Sequence, residues 1–210
     1  MESLALKAFL TLFVVMDPIG LVPVFLALAG SRPQNEQCRI ARKAVLVAGA
    51  LLATFGLVGA WLLRNLGISM DAFRVAGGIL LFLIAVDMVL AQHERETKEE
   101  EEESRARADI SVFPLAIPMI AGPGTLASLM ILAAESRPYS FGLIMVLGIA
   151  GVVLMLSYAA FRLSAPLGKL LGKTGVNVVT RVLGVLLAAL AVQYVADGAR
   201  GLLGHALTGA

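Results

Sequence analysis

The chain reads as an all-α integral membrane protein of six transmembrane helices arranged as two inverted three-helix repeats, the first and fourth helices discontinuous. Three observations predict this. Apolar residues make up 59% of the 210-residue chain and charged residues 15%, outside the range of soluble domains. Six apolar runs are each long enough to cross a hydrocarbon core, which takes about 20 helical residues. Two of those runs carry proline near their middles, where a bare anchor would have none.

The first run, from Leu4 to Ala29, contains Met16-Asp17-Pro18-Ile19-Gly20 at its centre. An ionisable group at mid-depth costs about 2.5 to 3.5 kcal/mol on insertion scales, and an interior proline about 3 kcal/mol. The backbone groups freed by such a break must meet protein, water or a ligand, so the break is expected to face a cavity. The run is too long for a signal-peptide core and is kept as mature structure. Further spans are expected at about 44–63, 72–91, 110–134, 140–161 and 178–199. In the second, Gly49, Ala53, Gly56 and Ala60 form a small-residue stripe, and in the fifth Gly142, Gly148 and Gly151 do; both read as helix-packing faces. Trp61 and Tyr139 sit near span ends as interfacial anchors, and Asp87 and Asp197 as interfacial acids.

Between these spans the basic residues fall unevenly. Arg32, Arg39, Arg42, Lys43, Arg95, Lys98, Arg105, Arg107, Arg162, Lys169, Lys173 and Arg181 lie on one side, and only Lys7, Arg64, Arg74, Arg137 and Arg200 on the other. The positive-inside rule puts the first side in the cytoplasm and both termini outside. Residues 93–109, with the run Glu99 to Glu103 and no apolar period, read as a polar cytoplasmic linker between a first repeat (1–92) and a second (110–210).

The halves match locally. At an offset of 105, Asp17-Pro18-Ile19-Gly20 lies over Gly122-Pro123-Gly124-Thr125; at 107, Arg74-Val75-Ala76-Gly77 lies over Arg181-Val182-Leu183-Gly184. Three spans per unit make the second unit enter from the opposite side, the inverted-repeat plan of many secondary transporters, whose broken helices meet near the midplane.

These residues resemble a known family. The Asp-Pro-Ile-Gly break followed by Val22-Pro23-Val24-Phe25, with Pro114-Leu115-Ala116-Ile117-Pro118 leading to Ala121-Gly122-Pro123-Gly124-Thr125, is similar to the MarC/SnatA family of prokaryotic inner-membrane proteins over essentially the full length. The resemblance implies transport of small neutral amino acids such as glycine and alanine.

A half-helix that starts inside the membrane offers unpaired N–H groups and a positive dipole end to a carboxylate, and the half-helix that stops before it offers carbonyls to an ammonium or a cation such as sodium. The Asp17 carboxylate is the candidate to bind the ammonium or carry a coupling proton. Asp17 and Gly122 are expected N-caps, with Pro18 and Pro123 at the first helical position. Asp17 would fill its own helix end with negative charge by bonding back to Ile19 or Gly20, whereas Gly122 leaves the amides near Gly124 and Thr125 open. The expected site is therefore Asp17, Pro18, Ile19, Gly20, Gly122, Pro123, Gly124 and Thr125, with the substrate carboxylate at the second break. Ser128, one turn further on, is added. Gln193, Tyr194, Ser157 and Thr54 read as interhelical hydrogen-bonding residues.

No enzyme, cofactor or metal site is expected. His93 and His205 have no acid at ligand spacing, Cys38 is alone, and no glycine-rich loop with its lysine marks a nucleotide. A net charge of +2 without aromatic interleaving argues against nucleic acid as a partner; the lipid bilayer and a small solute are the partners expected. The alternative is a non-transporting membrane protein, a channel or a structural partner of another complex. Direction, coupling ion, substrate range and oligomeric state are not encoded in these features.

Overall fold

The computed structural model describes residues 2–90 and 110–208, which wind into eight helical segments. They are α1 (Glu2–Met16), α2 (Leu21–Ala29), α3 (Gln34–Asn65), α4 (Met70–Leu90), α5 (Ser111–Ile120), α6 (Pro123–Glu135), α7 (Gly142–Arg162) and α8 (Ser164–Thr208). Four stretches are long and apolar enough to cross a membrane unbroken: α3, α4, α7 and Thr174–Gly204 of α8. α1 and α2 form a pair bent by 41°, and α5 and α6 a pair bent by 53°, so up to six crossings are present if each bent pair counts once. The expected linker, 93–109, lies outside the described residues.

The segment boundaries have local causes. α3 ends where Gly67 takes φ +70° and Ile68 N–H returns to the Leu63 carbonyl (2.9 Å), a left-handed glycine cap. α8 bends at Gly172, whose φ +60° and ψ 178° are open to glycine and little else. α5 is irregular because Phe113 (φ −126°, ψ 127°) and Ile117 (φ −129°, ψ 123°) are extended. Each precedes a proline, whose ring excludes the helical region for its predecessor.

α3 begins at Gln34, ten residues before the span expected at 44. Its first turns carry Glu36, Arg39, Arg42 and Lys43 and are amphipathic. The hydropathy of a span marks the hydrocarbon core, and a helix is free to run on past it.

Large side chains such as Leu46, Leu57, Ile79, Leu83, Ile144, Met155, Val182 and Leu186 face outward, which in water would be an aggregation surface and in lipid is the expected belt. Inside, one cluster gathers Leu12, Phe25, Ala44, Leu52, Leu115, Val153 and Phe161, with Phe25 and Phe161 stacked at 4.7 Å. A second gathers Val14, Val15, Leu81, Ala85, Ile131, Leu187, Ala191 and Tyr194.

α4 and α8 lie along each other as the most extensive helix pair. A Cβ placed on Gly78 would sit 2.8 Å from the Ala191 carbonyl oxygen, one on Gly184 3.2 Å from the Ala85 carbonyl, and one on Gly198 2.6 Å from the Asp71 carbonyl. Residues 71, 78 and 85 thus run antiparallel against 198, 191 and 184 in seven-residue steps. Where lipid and helix are equally apolar, such close backbone approach supplies the dispersion that holds helices together.

The stripe of α3 behaves as expected in part: Gly49 faces Leu154 and Gly56 faces Leu147, both on α7. The α7 stripe does not. Gly148 and Gly151 have open space around them, and α7 buries Val146, Ala150, Val153 and Ser157 instead.

Candidate functional site

The first break begins where Asp17 turns to φ +39°, a left-handed conformation that aspartate and asparagine adopt more readily than other residues with a side chain. The carboxylate holds the turn from within. Gly20 N–H donates to Asp17 Oδ1 (3.0 Å), and Leu21 N–H donates to the Asp17 carbonyl (3.1 Å). From α8, the Thr180 hydroxyl donates to Asp17 Oδ2 (3.2 Å). The expected bond back to the helix start is therefore made, to Gly20.

The helix itself starts later than Pro18. α2 is regular only from Leu21, because residues 18–20 close a turn in which Val22 N–H reaches the Ile19 carbonyl (3.1 Å). Gly20 is required there: a Cβ would fall on the Asp17 carboxylate and press on Thr180 Oγ1 at 2.9 Å. Asp17, Ile19 and Gly20 are half-buried and Pro18 is buried.

The second break is built differently. The last turn of α5 is wide, with Ala121 N–H bonded to the Ala116 carbonyl five residues back (2.9 Å). Gly122 is extended (φ −76°, ψ 171°), Pro123 occupies the first turn of α6, and no side chain caps the helix. Pro123 lacks an N–H, so the amides offered by this end are those of Gly124 and Thr125. Gly122, Gly124, Thr125 and Ser128 are buried and Pro123 is exposed.

Ser128 lies one turn further along α6. Its hydroxyl is fully buried and has no hydrogen-bond partner. Elsewhere in the bundle such hydroxyls bond to their own helix, Ser157 to the Val153 carbonyl (3.1 Å) and Thr54 to the Ala50 carbonyl (2.8 Å). Gln193 also bonds within its helix, to Asp197 Oδ1 (2.8 Å), so these three residues are not the interhelical links expected of them. Side chains on a helix lean toward its N-terminus, so Ser128 covers the turn that holds Gly124 and Thr125.

The two breaks are neighbours. A Cβ on Gly124 would lie 3.7 Å from Val15 Cγ1, in the last turn of α1 two residues before Asp17. The same Cβ would lie 2.6 Å from Ile84 Cδ1 and 3.0 Å from Leu81 Cδ2, so apolar side chains of α4 cover the tip of α6. Cavities of about 280 Å³, lined by Gln34, Gln37, Cys38 and Arg162, and about 220 Å³, lined by Gly56, Met130 and Tyr139, open away from both breaks.

Thr180, Leu81 and Ile84 were not expected at the site. Leu81 and Ile84 look like any lipid-facing or core residue, and a single threonine in an apolar helix does not announce its partner. Among the described residues no group of His, Cys, Asp and Glu is placed to hold a metal.

Comparison with known proteins agrees with the membrane character of the chain. The chain is 40% identical over 209 residues to the UPF0056 membrane protein YvbG of Bacillus subtilis, covering 96% of this chain and 97% of the relative. It is 39% identical over 197 residues to the UPF0056 membrane protein MJ1677 of Methanocaldococcus jannaschii (93% and 96% covered), and 32% identical over 200 residues to the UPF0056 membrane protein YhcE of Escherichia coli (93% and 92%). No solved structure matches it. Residues 3–203 match the MarC family of integral membrane proteins, and with relatives of this similarity in bacteria and archaea the chain belongs to that family.

Proposed function

We propose that this protein is a secondary transporter of small neutral amino acids such as glycine and alanine, an importer or exporter that binds its substrate between the two broken helices. The observation that carries the reading is the Ser128 hydroxyl, buried without a partner one turn inside the uncapped start of α6. Keeping an unsatisfied hydroxyl in a membrane interior costs about 1–3 kcal/mol, and a carboxylate that visits that helix end would satisfy it.

In this reading the substrate carboxylate meets the Gly124 and Thr125 amides and Ser128, within Gly122, Pro123, Gly124 and Thr125. The ammonium meets the last carbonyls of α1 and the Asp17 carboxylate across the turn Pro18-Ile19-Gly20. The difference between the breaks supports this polarity. Asp17 already fills the start of α2 with negative charge, while α6 has no counter-charge of its own. The glycines of the second break admit no side chain, and the tight space suits a substrate with a side chain of hydrogen or methyl. Leu81 and Ile84 cover the tip in this conformation, so loading requires α4 to move relative to α6.

The proposal includes six crossings in two inverted repeats. The antiparallel α4–α8 register and the two bent pairs support it, since each pair would open its repeat. The distribution of basic residues supports both termini outside, and the bacterial and archaeal relatives support a prokaryotic plasma membrane. A proton carried by Asp17, or a sodium ion, would couple transport to a gradient.

The test is uptake of labelled glycine and alanine by proteoliposomes. Saturable uptake competed by unlabelled compound is expected. Leak without saturation would make the protein a channel, and neither leak nor uptake would point to a structural partner of another complex.

A further inference from the structure

We infer that solute passes between the site and the face bearing the amino terminus along the seam of α1 and α6, and that an ion-pair gate of Lys7, Glu135 and Arg74 closes this route. The inference rests on the transporter reading for its purpose, but its geometry is independent of the substrate.

α1 and α6 run antiparallel. Val15 touches the position of Gly124 at the breaks, and Lys7 Nζ meets Glu135 Oε2 (2.8 Å) at the far end. Between these two levels α1 presents Thr11 and α6 presents Ser128, both buried. α8 contributes Tyr194, 1% exposed, whose ring lies 5.7 Å from Lys7 Nζ. A line of hydroxyls thus joins the breaks to the ion cluster through what is otherwise an apolar core of Val14, Val15, Ile131 and Ala191. The Ser128 hydroxyl has no hydrogen-bond partner, and the Tyr194 hydroxyl has Thr11 beside it but short of hydrogen-bond geometry. Groups left so in a membrane interior are costly in a static protein and useful in one whose interior is wetted in part of its cycle.

The cluster at the end of this line has the form of a closure. Glu135 on α6 holds both Lys7 on α1 and Arg74 on α4 (3.5 Å), and Arg74 also holds Asp71 (3.3 Å), against whose carboxylate Gly201 of α8 packs. Three helices, α1, α4 and α6, are drawn together there by two positive and two negative groups, and α8 packs against them at Gly201. Lys7 is 41% exposed, Glu135 20% and Arg74 22%, so solvent reaches the cluster from one side only in part. Partly solvated pairs contribute little to stability and separate readily when water enters, which suits a contact that must open and close.

The experiment uses the full chain with Cys38→Ala and a single probe, Thr11→Cys or Ser128→Cys, in membrane vesicles of each orientation. The reagent is a membrane-impermeant maleimide. With the gate intact, labelling is expected to be slow; with Glu135→Gln or Lys7→Gln it should rise at least tenfold, from the face bearing the amino terminus only. The exchange Lys7→Glu with Glu135→Lys should restore slow labelling, which general loosening of the fold would not allow. Unchanged rates in both single variants, or equal acceleration from both faces, would overturn the gate. The readout needs no substrate: if labelling behaves as expected and glycine is not taken up, the substrate reading fails and the gate stands, and saturable uptake with unmoved labelling has the opposite meaning.

Discussion

At the level of single residues, the candidate site holds one polar side chain that is hydrogen-bonded, Asp17, and one that is not, Ser128. Asp17 has a complete local role, holding Gly20 and receiving Thr180, so Asp17→Asn should keep the fold: its amide oxygen accepts from Gly20 and its amide nitrogen donates to the Thr180 hydroxyl. A melting temperature within a few degrees of the parent is expected. Uptake driven by a pH gradient should be lost while exchange at equilibrium persists, and undiminished gradient-driven uptake would remove Asp17 as the proton carrier. Ser128 is the reverse case. Ser128→Ala should leave stability unchanged or raise it by about 1 kcal/mol, since it deletes an unsatisfied buried hydroxyl, yet weaken glycine binding about tenfold. A residue there only for packing would show the first effect without the second. Gly122→Asp, which would give the second break a carboxylate like that of the first, is a poor test, because its Cβ would press on the Pro118 carbonyl.

Asp17 was legible because a carboxylate and a proline in an apolar run are each expensive and together demand a reason. The Gly122–Thr125 turn was legible through its likeness to the first. Thr180 was not, since its meaning comes from a partner 163 positions away.

At the level of elements, apolar run length located the four unbroken spans and the two bent helix pairs, and proline located both bends. What run length does not encode is direction around a helix axis. Gly49 and Gly56 face α7, but Gly148 and Gly151, which look like the same kind of stripe, face open space, and the closest helix contact uses Gly78, Gly184 and Gly198 on α4 and α8. Spacing alone allows several faces, and the choice among them is made by the partner helix. This gives a paired prediction. Gly78→Ala should destabilise by about 1–3 kcal/mol, because its Cβ would meet the Ala191 backbone oxygen at 2.8 Å, while Gly148→Ala should change stability by less than about 0.5 kcal/mol. Thermal unfolding in detergent measures both; equal effects would mean that the α4–α8 register is wrong. The irregular course of α5 was also readable in principle, from Phe113 and Ile117 each standing before proline.

At the level of the whole molecule, two bent helix pairs lie against each other at their breaks, flanked by a long antiparallel pair and closed at one end by charges. The membrane character and the family were legible in the sequence through composition and motif. The cover of Leu81 and Ile84 over the second break was not, because it depends on which face of α4 turns toward α6, which run length does not encode. For the proposed transport, the Leu81 and Ile84 side chains over Gly124 and the Lys7–Glu135 pair must separate at some point in the cycle.

The central claim, that the start of α6 binds the carboxylate of a small zwitterion, is tested most directly by calorimetric titration of the purified protein with glycine and with glycinamide. The account predicts saturable binding of glycine, weakened about tenfold in Ser128→Ala, and no binding of glycinamide, which keeps the ammonium and lacks the carboxylate. Equal affinity for the two compounds, or glycine binding indifferent to Ser128, would contradict it.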